Sequence, residues 1–68
     1  MTDVNNLSLA ELDPEVAEAH YNLGVVLRDL GKLDGAVASF HKALVINPNY
    51  ADAHNNLGNV LQALSRPE

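Results

Sequence analysis

The residues in this chain best suited to hold a metal are His20, His41 and His54. Zinc sites draw three or four ligands, often as a pair on one helix face. No His-x-x-x-His or His-x-x-Glu pair occurs, and there is no cysteine to supply a thiolate. No metal centre or other cofactor is therefore expected. Ser8, Ser39 and Ser65 have no base partner placed by the pattern, which leaves nucleophilic catalysis without a candidate. Glu15 and Glu18 are paired carboxylates, but they fall in the first turn of a helical pattern, where acids complement the helix dipole. Gly24 and Gly58 lie inside helical patterns, so neither belongs to a phosphate-cradling loop. The expectation is a protein without enzymatic activity.

Composition narrows the partners. The 68 residues carry 9 acidic and 4 basic side chains, a net charge of −5. Nucleic acids and anionic membranes select basic faces, so neither is expected as a partner. No basic start followed by an apolar run marks a signal peptide, and the apolar runs are too short to span a bilayer. A cytoplasmic location is expected on that ground. With 47% hydrophobic residues but few aromatics, the chain suits close-packed helices. A chain this short is marginal alone and commonly needs a staple or an association.

An internal repeat organises the rest. "AEAHYNLGVVL" at residues 17–27 returns as "ADAHNNLGNVL" at residues 51–61, an offset of 34 residues. Ala17/Ala51, Ala19/Ala53, His20/His54, Asn22/Asn56, Leu23/Leu57, Gly24/Gly58, Val26/Val60, Leu27/Leu61 and Leu30/Leu64 are identical pairs. A fixed period of this length signals stacked supersecondary units. Ala19, Leu23, Val26, Leu27 and Leu30 recur at three- and four-residue steps, one apolar stripe of a helix over 17–30. Ala36, Val37, Phe40, Ala43, Leu44 and Ile46 make a second over 35–46, and the repeat makes a third over 51–64. Pro14 and Pro48 are expected to precede helices, Gly31 to stop the first, and Asn49 with Asp52 to form a capping box for the third. The short Gly31–Asp34 link makes the first two helices an antiparallel hairpin. Leu23, Leu27, Leu30, Val37, Phe40 and Leu44 are expected to fill the space between them, with Gly24 and Ala36 allowing close approach. Leu7, Leu9, Ala10 and Leu12 form a weaker apolar pattern, read as a degenerate second helix of a preceding unit, after a frayed start at residues 1–6.

The series His20, Leu23-Gly24, Leu27, Ala36, Phe40 and Pro48 resembles the tetratricopeptide repeat, with His and Leu where Trp and Tyr are common. The phrase Ala-His-x-Asn-Leu-Gly is similar to the long superhelical arrays attached to O-linked N-acetylglucosamine transferases and to related bacterial repeat proteins. The resemblance implies an all-α fold of antiparallel helical hairpins, an α-solenoid fragment. Its divisions would be an N-terminal segment over 1–16, a complete repeat over 17–50 and the first helix of a truncated repeat over 51–68.

The resemblance also implies a protein-interaction module that binds an extended peptide on its concave face. By motif position the groove candidates are Glu18, Tyr21, Asn22, Val25 and Arg28, then Asp52, Asn55, Asn56, Asn59 and Gln62. Asn22 and Asn56 match the position of an asparagine ladder. A carboxamide offers both a donor and an acceptor, so it can pair with a peptide backbone of any sequence. The bland alternative is that these amides bond within the repeat or to water. Arg28 alone does not make a basic clamp for a carboxylate, so neutral or basic peptides are expected over acidic ones. His20 and His54 would replace the family's Trp at a helix contact.

By the offset, residues 65–68 correspond to the inter-helix link, and the second helix of that unit is missing. Leu57, Val60, Leu61 and Leu64 are expected to be left partly uncovered, forgoing roughly 1.5–3 kcal/mol of burial each. Self-association through that face follows as an expectation, by helix exchange or by end-to-end stacking. The rival functions are a targeting piece of a glycosyltransferase and a minimal repeat chain with no ligand.

Overall fold

The computed structural model describes residues 13–66. Three helices follow in order: α1 (Pro14–Asp29), α2 (Leu33–Ile46) and α3 (Ala51–Ser65). Among the described residues there is no strand. The N-terminal pattern at Leu7–Leu12 and the frayed start expected for residues 1–6 lie outside the described residues.

Local chemistry sets the helix ends. Asp13 caps α1, its carboxylate accepting from the Glu15 N–H at 2.9 Å. Pro14 was expected to precede the helix, but it is the first helical residue. That place suits proline, because its missing N–H is one the helix could not use there. Gly31 ends α1 with φ at +81°, a left-handed conformation that favours glycine. The Gly31 N–H donates to the Arg28 carbonyl at 3.0 Å and the Lys32 N–H to the Leu27 carbonyl at 2.8 Å. This pair of bonds is a Schellman stop, and it reverses the chain within three residues. The capping box expected at Asn49 and Asp52 does not form. Asn47 takes the turn instead, its side chain accepting from the Asn49 N–H at 3.2 Å, and Tyr50 stands at the N-cap without a side-chain bond.

Helix α2 lies between α1 and α3, which barely touch each other. The core is built around it: Ala36, Phe40 and Ala43 of α2 with Ala53, Leu57 and Val60 of α3. On its other side α2 meets α1. A Cβ added at Gly24 would stand 2.6 Å from the Phe40 ring, so glycine is what lets the two helices close. Leu27 packs against Gly35 in the same seam, and Ala17 is buried there too.

The expected packing needs two corrections. Leu23 and Leu30 do not fill the hairpin; they are 49% and 65% exposed. Leu57 and Val60 are not uncovered; they are 8% and 2% exposed, pressed into the core, while Leu61 and Leu64 remain outside. One geometric fact explains both. The repeated helix has two apolar faces, not one. The face with Ala17, Gly24 and Leu27 meets the helix that follows. The face with Ala19, Leu23 and Val26 corresponds to Ala53, Leu57 and Val60, which in α3 meet the helix that comes before. Thus Leu23 is exposed and Leu57 buried, and Gly24 is buried and Gly58 exposed, although each pair is identical in sequence.

The two motif glycines should therefore answer one substitution with opposite signs. Gly24→Ala forces a methyl into the fully buried Phe40 ring and should destabilise by about 1–3 kcal/mol. Gly58→Ala meets no described atom within 4 Å and should stabilise by roughly 0.5–1 kcal/mol through helix propensity. Thermal unfolding followed by circular dichroism reads both. Shifts of the same sign would contradict the packing described here.

Candidate peptide interface

Asn56 of α3 ties the first and third helices together. Its amide nitrogen donates to the Tyr21 hydroxyl at 2.9 Å and to the Asp52 carbonyl one turn back at 3.1 Å. Its oxygen accepts from the Arg28 guanidinium. Arg28 also reaches Asp29, with Nε and Nη2 at 3.2 and 3.0 Å from one carboxylate oxygen. Both hydrogens of the Asn56 amide are thus engaged inside the repeat, together with its oxygen. The bland alternative for this asparagine is the arrangement the structure places there.

Aromatic packing supports the same corner. The Tyr21 ring lies 5.0 Å from Tyr50 and 5.7 Å from Phe40, centroid to centroid, both tilted. Such spacing is favourable for offset rings. Burial pushes the Tyr50 phenol above its usual value, with the Glu18 carboxylate, Tyr21 and the Asp52 carboxylate adding to the effect. Tyr50 was absent from the sequence candidates. Its only signal was an aromatic immediately before the third helix.

The other candidates divide by exposure. Val25 is half-buried and packs against the core. Asn22, Asn55, Asn59 and Gln62 are exposed, and among the described residues their side-chain amides make no hydrogen bond. So Tyr21, Arg28 and Asn56 come together, and the remaining amides stay open beside them. Of the proposed self-association residues, Leu61 and Leu64 are exposed, at 45% and 44%.

The residue type shared by His20 and His54 hides two different environments. His20 lines an open apolar cleft with Val16, Lys42, Val45 and Ile46, where the start of α1 meets the end of α2. His54 Nε2 lies 2.7 Å from the Pro48 carbonyl and closes the turn into α3. His41 is exposed. Among the described residues no three His, Cys, Asp or Glu side chains are grouped to hold a metal ion.

Residues 26–65 match the family pattern of the TPR repeat. The chain belongs to the TPR repeat family. No curated protein and no solved structure matches it. The TPR match takes in the end of α1, the whole of α2 and the whole of α3, so the clasped helix and both of its neighbours fall within it. TPR repeats generally serve as protein–protein interaction modules and are typically non-catalytic. No helix among the described residues is long and apolar enough to cross a membrane.

Tyr50 gives the TPR corner a pH signature. The unfolded chain ionises this phenol near pH 10, and the folded chain only above that. In alkali the folded state therefore holds the extra proton, and stability must fall as pH rises through about 10. Urea midpoints at pH 8 to 11 should show a steeper alkaline loss in the parent chain than in Tyr50→Phe. Parallel losses would place the effect elsewhere.

Proposed function

We propose that the chain is a non-catalytic interaction module whose face across α1 and α3 binds an extended peptide through its backbone. The observation that supports this is the division of labour among polar groups at that face. Tyr21, Arg28 and Asn56 satisfy one another and hold α1 to α3, while the amides of Asn22, Asn55, Asn59 and Gln62 stand exposed with donors and acceptors to offer. A peptide backbone presents the same mixture of groups, so carboxamides suit it without selecting side chains. Arg28 is already engaged by Asn56 and Asp29, and Glu18 and Asp52 add negative charge nearby. Acidic peptides are thereby disfavoured and neutral or basic ones favoured.

A second docking surface is the open face of α3, supported by exposed Leu61 and Leu64 beside Gly58. The sequence led to a second copy as the occupant there, giving a homo-oligomer. Helix exchange would have to draw α2 from between its neighbours, which makes end-to-end stacking the more economical form of that association.

One NMR titration addresses both surfaces. Neutral, basic and acidic unstructured peptides are added in turn to the isotopically labelled chain. Shifts should cluster at Tyr21, Asn22, Val25, Arg28, Asn55, Asn56, Asn59 and Gln62, and be larger for neutral and basic peptides than for acidic ones. No shift at these residues with any peptide would remove the concave-face proposal. Concentration-dependent broadening at Leu61 and Leu64 before any peptide is added would mark self-association.

A further inference from the structure

The outward face of α3 carries the same three residues by which α1 holds α2. In α1 these are Ala17, Gly24 and Leu27, and the Phe40 ring rests on the bare backbone of Gly24. In α3 they are Ala51, Gly58 and Leu61, all exposed. No described atom lies within 4 Å of a Cβ built on Gly58. The chain thus contains one socket twice, once filled and once open. The filled copy states what fits: a helix with an aromatic residue at the glycine and an alanine about one turn to either side, as Ala36 and Ala43 flank Phe40.

The rim of the open socket differs from the filled one. Where α1 has Tyr21, Val25 and Arg28, α3 has Asn55, Asn59 and Gln62 at the same offset. Tyr21 and Val25 pack against the core. Carboxamides in their place would be costly to cover with apolar groups and instead require hydrogen-bonding partners.

We propose that the Gly58 face of α3 binds an amphipathic helix of a partner protein. That helix seats an aromatic residue on Gly58, with small residues one turn before and after it. It turns polar side chains toward Asn55, Asn59 and Gln62. The proposal rests on the reading that the open face of α3 is a docking surface, and it names the occupant. A second copy is the poorer donor. Its own aromatic helix is clasped on both sides, with Ala36, Phe40 and Ala43 fully buried. Two copies would also each bring a charge of −5. A foreign helix, neutral or basic, carries neither cost.

A synthetic peptide of sequence Leu33–Ile46 serves as the probe, because it carries the small–aromatic–small pattern free of its neighbours. Added to the labelled full chain, it should shift Ala51, Gly58 and Leu61. Replacing the peptide's phenylalanine (Phe40→Ala) should weaken binding by at least about tenfold. Gly58→Leu in the chain should abolish the binding while circular dichroism shows the helices intact. Gly58→Ala, a smaller obstruction, should weaken it while raising the melting temperature. Binding indifferent to Gly58→Leu, shifts confined to the α1–α3 concave face, or no shifts at millimolar peptide would overturn the proposal. So would a concentration-dependent dimer through Gly58 in the absence of peptide. The concave-face function is read separately, because unstructured peptides should still bind the Gly58→Leu chain.

Discussion

The contact of the Phe40 ring with the backbone of Gly24 sets the spacing on which the rest of the molecule depends. An aromatic ring at a helix crossing needs a neighbour with no side chain, and Gly24 supplies it. With the ring seated there, α2 presents Ala36 and Ala43 as small flanking residues, so nothing holds the helices apart. The opposite side of α2 then receives Ala53, Leu57 and Val60 of α3. Two short helices are thus positioned by one helix buried from both sides. For a chain of this size, with no disulfide to help, close packing at that helix is the main source of cohesion.

The interaction face is a consequence of the same placement. Because α1 and α3 both lean on α2, Tyr21 and Asn56 arrive within hydrogen-bonding distance although they lie 35 positions apart. Arg28 completes the set and is drawn away from any role as a free cation. The polar groups that join the helices are therefore distinct from those left open to a ligand. That separation lets the face be rigid and still adhesive, which is what recognition of an extended backbone requires.

Much of this was legible in the residues. The 34-residue offset, the helical stripes and the Gly31 stop each follow from local chemistry, and each has its counterpart in the structure. The division of the stripe into two faces was not legible, because Leu23 and Leu57 are identical and differ only in what lies beside them. Periodicity reports that a residue faces some neighbour, and it is silent on whether that neighbour comes before or after in the chain. The same limit applied at the site. Asn22 and Asn56 hold the same motif position, yet only Asn56 has a tyrosine and an arginine from another helix within reach. Tyr50 escaped notice because its role comes from stacking on Tyr21, a contact made across the fold. The turn into α3 escaped for a smaller reason: Asn47 and Asn49 are equally good candidates to bond a nearby N–H, and only the geometry around Pro48 decides between them.

The central claim is that α2 is the one helix held on both sides and that the others depend on it. Native-state amide hydrogen exchange measures this most directly, residue by residue. The amides of α2 around Phe40 and Ala43 should exchange slowest, at the rate of global unfolding. The outward amides of α1 and the end of α3 near Leu64 should exchange through smaller, local openings. Uniform protection across the three helices, or slowest exchange in α3, would contradict the account.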